Sequence, residues 1–414
     1  MDLFDKCEFW VNEVKEVTAA GLYPFFHEIT TRQHSEVEIE GRRTIMLGSN
    51  NYMGLTSDQR VIDAAKDALE RYGAGCSGSR FLNGTLSLHV ELEKKLADFT
   101  GFEDTMTFST GFQTNLGILS AICGRGDYIF FDRWNHASLV DATRLTFSKV
   151  VKYNHNDMAD LEKKIASAPA DAGKLIVADG VFSMEGDLAD LPNIVKIARK
   201  YGARIMIDDS HGLGAIGRTG RGVGEHFGLM HEIDILMGTF SKSFASLGGF
   251  MAAKKNVITH CRHSSRPFIF SASIPPSNVA AVIKALEIID SEPERITRLK
   301  ENTEYLRAGY ERFGIPARES QAPIIPVDTL TRERTFKIVK ALLENGVYVN
   351  PVFPPAVPEG QAIIRTSLTA TMTKDQLDFA LVAFDKVFNK LLPPTKDDLE
   401  ISRKSYELNE SVES

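Results

Sequence analysis

From Asp58 onward the string DQRVIDAAKDALERYG returns apolar residues (Val61, Ile62, Ala65, Leu69) at helical spacing and stops at Gly73, which predicts a helix closed by a glycine. SLHVELEKKLADFTG repeats the pattern with Leu88, Leu92, Leu96 and Phe99, and the small-residue string GAGCSGSRFLNG between the two reads as a loop. Short β-like runs then alternate with helical ones: YIFFD, KVVKY, the helix MADLEKKIASA, KLIVADGVFS, the helix IVKIARKYG, RIMIDDSH and DILMGTFS. That alternation predicts an α/β fold built on a mainly parallel sheet wrapped by helices, a class that binds ligands at its strand ends. Near residue 275 the texture changes to one long helical stretch, 275–314, leading to a smaller C-terminal α/β unit with strands in PIIPVDTL, VYVNPVF and QAIIRTSL. The expected organisation is an N-terminal segment (1–55), a large unit (56–290), a small unit (291–392) and a charged tail (393–414) expected to be mobile.

With 414 residues the chain has room for two or more compact units, and 43% hydrophobic with 25% charged residues is ordinary for a globular protein. A net charge of −7, mixed in sign, gives no field that would point to nucleic acid or an anionic membrane, so a small-molecule ligand is expected. MDLFDKCEFWVNEVKEV sets acids and lysines among its apolar residues, unlike a secretory h-region, and no run reaches membrane-spanning length. Cys7, Cys76, Cys123 and Cys261 are scattered without Cys-x-x-Cys pairing, so neither structural zinc nor a disulfide framework is expected and a reducing cytoplasm is. The cluster His260, Cys261 and His263 has the spacing of a basic helix face rather than of a metal site, and no metal is expected.

Residues 212–217, GLGAIG, match the Gly-x-Gly-x-x-Gly pattern of dinucleotide sites. The context does not fit. Asp208, Asp209, Ser210 and His211 separate the strand from Gly212, and RTGRGVG cannot follow as a regular helix when Gly220, Gly222 and Gly224 would cost about 1 kcal/mol each. The glycines therefore read as loop, and a nicotinamide oxidoreductase is set aside.

What precedes them carries more chemistry. A carboxylate at the end of a buried strand, Asp208, with His211 three residues on, is costly unless a positive group such as a protonated pyridine nitrogen sits opposite. In GTFSKSFASLGGF, Lys242 follows a strand and is flanked by the hydroxyls of Thr239, Ser241 and Ser243, which suit phosphate oxygens; a lysine in Schiff-base linkage to an aldehyde cofactor needs such company. In FSTGFQTNLG a strand end turns into a helix, which aims the amides of Gly111 and Phe112 at an anion; the stretch reads equally as a helix capped by Ser109 or Thr110.

Asp-x-Ser-His-Gly-x-Gly followed by Gly-Thr-Phe-Ser-Lys-Ser resembles the α-oxoamine synthases, pyridoxal-phosphate enzymes of the aspartate-aminotransferase fold (fold type I), and the resemblance runs from about Gly21 to Leu392. It implies that Lys242 carries the cofactor and, once released, moves the proton at the substrate α-carbon, that Asp208 holds the pyridine nitrogen protonated, and that His211 bonds the ring's phenolic oxygen. It further implies that His136 stacks on the ring and helps place the substrate carboxylate. Ser183 would lie near the cofactor oxygen with Glu185 and Asp187 behind it, and Gly111, Phe112, Thr239 and Ser241 would meet the phosphate. Ser271 and Ala272 would complete that phosphate site from a neighbouring subunit, which implies a homodimer with shared active sites. Arg365 would fork onto the substrate carboxylate and Asn51 would touch substrate. One position departs from the family: Met372 stands where a histidine is usual.

The family reaction joins a small amino acid to an acyl-CoA with loss of carbon dioxide. GLYPFFHEI and YGAGCSGSRFLNGTLSLHVELE resemble the bacterial serine palmitoyltransferase branch, which implies serine and palmitoyl-CoA and a place in sphingolipid synthesis. The alternatives are alanine with a pimeloyl thioester (8-amino-7-oxononanoate synthase) and glycine with acetyl-CoA (glycine C-acetyltransferase). A non-catalytic scaffold subunit would be expected to have lost the lysine, which is present at 242. Leu22, Phe25 and Phe26 read either as lining for an acyl channel or as core packing.

Overall fold

The computed structural model describes residues 2–354, 357 and 360–413. Helix α1 (Glu8–Ala19) leads into a hairpin of β1 (Glu36–Ile39) and β2 (Arg42–Met46), then α2 (Gln59–Tyr72) and α3 (Ser87–Thr100). As the periodicity predicts, α2 and α3 stop at glycines with positive φ, Gly73 at 78° and Gly101 at 77°. Next come β3 (Asp104–Phe108), α4 (Gly111–Ile122), β4 (Tyr128–Asp132), α5 (Ala137–Arg144), β5 (Lys149–Tyr153), β6 (Lys174–Asp179), β7 (Arg204–Asp208), β8 (Ile235–Thr239) and β9 (Gly249–Ala253).

These last strands form one seven-stranded sheet in the order β3-β9-β8-β7-β6-β4-β5. All neighbours are parallel except at β9, which runs antiparallel to both β3 and β8. Alternate residues serve opposite faces: Phe130, Ile176 and Ile207 join one buried cluster, whereas Ile129, Phe131, Val177 and Met206 join another across the sheet. Burial on both faces is why the strands read as near-continuous apolar runs, and each such side chain contributes about 1.5–3 kcal/mol. The parallel strands end together at one edge, where the polar residues Asp132, Asp179, Asp208 and Thr239 cap β4, β6, β7 and β8.

The small unit contains β10 (Ile324–Leu330), β11 (Val347–Tyr348), β12 (Asn350–Val352) and β13 (Ala362–Ser367), with β13 central between β10 and β12. The N-terminal hairpin does not stand alone: β2 pairs in parallel with β11, and Asn350 Nδ2 donates to the Gly48 carbonyl, 302 residues away, at 2.6 Å.

Two expectations change. The helical stretch 275–314 is two helices, Pro276–Ser291 and Glu294–Arg312, because Pro293 cannot supply an interior N–H. The segment expected as a mobile tail forms the helix Lys396–Glu413. Thr331 Oγ1 donates to Asp398 at 2.8 Å, Ser402 is buried, and a Cβ on Gly360 would lie 2.9 Å from the Ile401 carbonyl, so this helix is seated on the small unit. Its sparse apolar residues concealed a docking face one turn wide. No helix among the described residues is long and apolar enough to cross a membrane.

Candidate active site

The glycine-rich loop after β7 surrounds a carboxylate. A Cβ on Gly180, Gly212 or Gly222 would come within 2.5, 2.0 and 1.8 Å of the Asp209 carboxylate, and Val223 N donates to Asp209 Oδ2 at 2.7 Å. Asp209 is fully buried, and that burial pushes its carboxyl up to about 7. The glycines are thus required by close approach to a side chain; residues 212–222 form a loop, and a short helix, Val223–His226, takes in Gly224.

Asp208, one residue back and 5% exposed, points the other way. Its Oδ2 accepts from Asn115 Nδ2 at 2.7 Å, and its Oδ1 from Ser210 N at 3.1 Å and Ser210 Oγ at 2.5 Å. All are neutral donors, and no ion pair reaches Asp208 among the described residues. It forms one wall of a cavity of about 230 Å³ that also takes in Gly111, Phe112, His136, His211, Thr239, Ser241 and Lys242. The Lys242 amine makes no hydrogen bond among the described residues; burial lowers its ammonium to about 8, against the pull of the Asp208 carboxylate.

At one end of the cavity β3 runs into α4. Thr110 caps the helix, its Oγ1 accepting from Gln113 N at 3.1 Å. The first intrahelical bond runs from Thr114 N to Thr110 O, which leaves the amides of Gly111 and Phe112 ahead of it as free donors for an anion. Thr239 presses on this end: a Cβ on Gly111 would sit 2.6 Å from Thr239 Oγ1, and Thr239 Oγ1 lies 3.0 Å from Ser241 Oγ. Ser243, expected with these hydroxyls, is buried away from the cavity beneath Gly214, because the strand ends at Thr239 and the turn at 243–244 breaks the alternation that would have kept residues 239, 241 and 243 on one side.

His136 caps α5. Its backbone N–H donates to Asp179 Oδ2 at 3.0 Å, and its Nδ1 accepts from Ser138 N at 3.2 Å. Burial lowers the imidazole's pKa, so the ring is neutral. Asp179 pairs in register with Asp208 across β6 and β7, and burial with the nearby Asp208 charge pushes its carboxyl well above the usual range.

Behind the cavity wall, which His211 lines and Tyr52 and Arg365 do not, these three buried side chains form a relay. Arg365 Nη2 donates to Tyr52 Oη at 3.2 Å, and Tyr52 Oη lies 2.7 Å from His211 Nδ1. A guanidinium only donates, so the phenol accepts from Arg365; its own proton goes to the nearer of two acceptors, Nδ1 at 2.7 Å rather than Asn50 Oδ1 at 3.4 Å. Burial, with the charges of Lys242 and Arg365, holds His211 well below its ordinary pKa; the neutral ring then carries its proton on Nε2. Arg365, 4% exposed, is no surface arginine, and it also donates to Ser367 Oγ and to the Ser183 carbonyl.

Some expected residues stand elsewhere. The Asn51 amide is spent on its own turn, accepting from Leu55 N and Thr56 N and donating to Thr56 Oγ1, and it does not line the cavity. Ser183 takes part through its carbonyl. Ser271 and Ala272 do not line the cavity either: Gln113 Nε2 donates to Ser271 Oγ and Ser109 Oγ donates to the Ala272 carbonyl, which holds them against α4 of the same chain. Met372 is 6% exposed and packs in the main core, which fills an imidazole's place with apolar contact. His260 and His263 each bond a backbone carbonyl while Cys261 is buried between them. Phe25 and Phe26, 39% and 94% exposed, are not core packing. Tyr52, Asn115, Ser138, Asp179 and Ser210 escaped sequence reasoning; only Ser210, inside the Asp-x-Ser-His string, carried a local signal.

The model of the family "Aminotransferase class I and II" matches residues 42–384. The chain is 51% identical to a serine palmitoyltransferase of Sphingobacterium spiritivorum over 92% of its length and 95% of the relative's. It is 41% identical to an 8-amino-7-oxononanoate synthase of Thermosipho melanesiensis, covering 94% and 99% of the two chains. Among solved structures, a high-resolution SPT with a PLP internal aldimine superposes with a TM-score of 0.91 at 38% identity, covering 94% of this chain and 98% of that one. The Sphingomonas wittichii serine palmitoyltransferase gives the same TM-score, identity and coverage. A sheet of this order, a lysine and an aspartate at its carboxyl edge and a family match over most of the length agree: the chain belongs to the aminotransferase class I and II family and has the aspartate-aminotransferase-like fold of pyridoxal-phosphate enzymes.

Proposed function

We infer that this chain is a pyridoxal-phosphate-dependent acyltransferase that condenses L-serine with palmitoyl-CoA, releasing CoA and carbon dioxide and yielding 3-ketodihydrosphingosine. The observation that carries the reading is the convergence on one cavity of the Lys242 amine, the Asp208 carboxylate and the N-terminus of α4, in a chain 51% identical to serine palmitoyltransferases.

The residues fit the cofactor. Asp208 is a buried carboxylate served only by neutral donors, which a protonated pyridine nitrogen would complete. The amides of Gly111 and Phe112 with the hydroxyls of Thr239 and Ser241 suit a phosphate dianion, and Lys242 lies between the two ends with an amine depressed enough to be a nucleophile near neutral pH. Bound there, pyridoxal phosphate supplies an electron sink for the charge left at the amino acid's α-carbon.

The chain's own residues do the rest. Asn115 and Ser210 keep the Asp208 carboxylate fixed toward the ring. His136, neutral and anchored through Asp179 and Ser138, presents a flat face to it. His211 offers Nε2–H toward the phenolic oxygen, its tautomer set by Tyr52. Lys242 Nζ, on the cavity wall, would take the proton from the α-carbon. Three of the five guanidinium N–H groups of Arg365 are spent on Ser183, Ser367 and Tyr52, which leaves two for a carboxylate.

The reading includes a cytoplasmic homodimer in which the Ser271–Ala272 segment reaches the partner's phosphate site. Its supports are the free cysteines and the place of that segment outside the cavity of its own chain. Incubation with serine, alanine or glycine against palmitoyl-, pimeloyl- and acetyl-CoA tests the function. Turnover of serine with palmitoyl-CoA is expected, and activity confined to alanine with pimeloyl-CoA would replace the reading by that of the oxononanoate synthases.

A further inference from the structure

His155 follows β5 and belongs to no part of the cavity wall, yet both its ring nitrogens are held by carboxylates. Nδ1 lies 3.1 Å from Asp132 Oδ1 and Nε2 lies 2.8 Å from Asp187 Oδ2. Both acceptors being carboxylates, the ring is an imidazolium. Its face stacks on Trp134 at 3.9 Å with the planes 15° apart, and Phe182 meets it edge-on at 4.3 Å. Asn156 doubles the link: its backbone N–H donates to Asp132 Oδ2 at 3.0 Å and its Nδ2 to Asp187 Oδ2 at 3.1 Å.

The two carboxylates belong to the two loops that furnish the site. Asp132 ends β4, is fully buried, and accepts from Trp134 N at 2.9 Å, which shapes the turn that delivers His136. Asp187 closes the loop 182–187 through the bond from Phe182 N to its carbonyl, and the next residue, Ser183, gives its carbonyl to Arg365. The imidazolium is therefore the bolt between the histidine that faces the cofactor and the arginine reserved for the substrate carboxylate. Resting on the function proposed above, we propose that His155 is a positioning residue for the amino acid, setting the distance between His136 and Arg365 by clamping Asp132 to Asp187.

The clamp has a pH window. Burial disfavours the charge, but hydrogen bonds to Asp132 and Asp187 hold the imidazolium up to about 9. A histidine raised in the folded state stabilises the arrangement fully below its unfolded value, about 6.5, and loses that contribution as pH rises through about 9. The other charged or titratable groups around it are Glu185 and Arg318, which interact with the same loop, Tyr153 and Asp179 beside Asp132, and Arg133 and Asp160, which hold Asn154.

The test uses the full-length protein with pyridoxal phosphate bound, titrating serine against the cofactor's visible band from about pH 7 to about pH 10. His155→Phe keeps a flat ring under Trp134 and removes both donors; Asp187→Asn keeps an acceptor and removes one charge. For His155→Phe the dissociation constant and KM for serine are expected to rise about ten- to a hundredfold with a smaller change in kcat. For Asp187→Asn the alkaline loss of serine affinity is expected to move to lower pH than in the wild type, a displacement that the titration of serine itself, common to both proteins, cannot produce. The inference is overturned if the Asp187→Asn limb coincides with the wild-type limb, or if His155→Phe binds serine within about twofold of wild type. Should His155→Phe not fold, the position of the Asp187→Asn limb decides alone. A wild-type band that responds to no amino acid overturns the functional reading itself and is distinguishable from either result.

Discussion

Replacing Tyr52 by phenylalanine removes one oxygen from a place where Tyr52, Arg365 and His211 are 0%, 4% and 8% exposed. The ring still fills its volume, so no cavity opens and the loss is electrostatic. What is stranded is one guanidinium N–H and the Nδ1 lone pair of a neutral imidazole, each a buried group whose lost partner costs about 1–3 kcal/mol. Arg365 keeps Ser183 and Ser367, so the fold survives. If about half of a total near 3 kcal/mol falls on the arrangement that receives substrate, serine binds about tenfold more weakly, since about 1.4 kcal/mol is a factor of ten. His211, freed to change tautomer, would also alter the band of the bound cofactor. Titrating serine against that band, with urea unfolding of the same samples, measures both parts. If Tyr52→Phe leaves the serine affinity, the spectrum and the unfolding midpoint all at wild-type values, the relay is an accident of packing.

Gly111→Ala drives a Cβ to 2.6 Å from Thr239 Oγ1 and should weaken cofactor retention about tenfold or more, read by dialysis against graded pyridoxal phosphate. With the free Lys242 amine lowered to about 8, cofactor uptake by the apoprotein should accelerate as pH rises through that value and then level off, because the neutral amine is the nucleophile; a flat profile in stopped-flow absorbance contradicts the assignment. Gly222→Ala, at φ 83° with Asp209 Oδ2 1.8 Å from the new carbon, should cost about 2–4 kcal/mol in chemical denaturation. Gly73→Ala, at φ 78° and ψ −174° with nothing within 4 Å, is the control: it carries the same backbone strain as Gly222→Ala, about 1–3 kcal/mol, without the clash, and should cost less. Equal losses in the two would remove the case for a loop built around Asp209.

The alternating texture of the chain was legible because both faces of the large sheet are buried and its helices are amphipathic. Lys242, Asp208 and His211 were legible because they lie in short strings whose composition makes no sense as packing. Tyr52 and Asn115 were not: their partners His211 and Asp208 lie 159 and 93 residues away, and a tyrosine or asparagine acquires a role only when the fold brings it there. The string SNNYMGL likewise does not say that Asn51 spends its amide on its own turn while Tyr52 meets His211 and Arg365. Asp179, buried without an ion pair among the described residues, looks like any strand-end aspartate until Asp208 is placed beside it.

The pairing of β2 with β11 has a consequence for biosynthesis. When the ribosome has finished the seven-stranded sheet at Ala253, the hairpin at residues 36–46 still lacks its neighbour, which emerges only with Val347 and Tyr348. Through that interval the nascent protein carries an open strand edge, and Tyr52 waits for Arg365. Truncation between residues 254 and 347 should therefore yield a product with an intact lysine and no competent site, prone to join its unfinished edge to that of another copy.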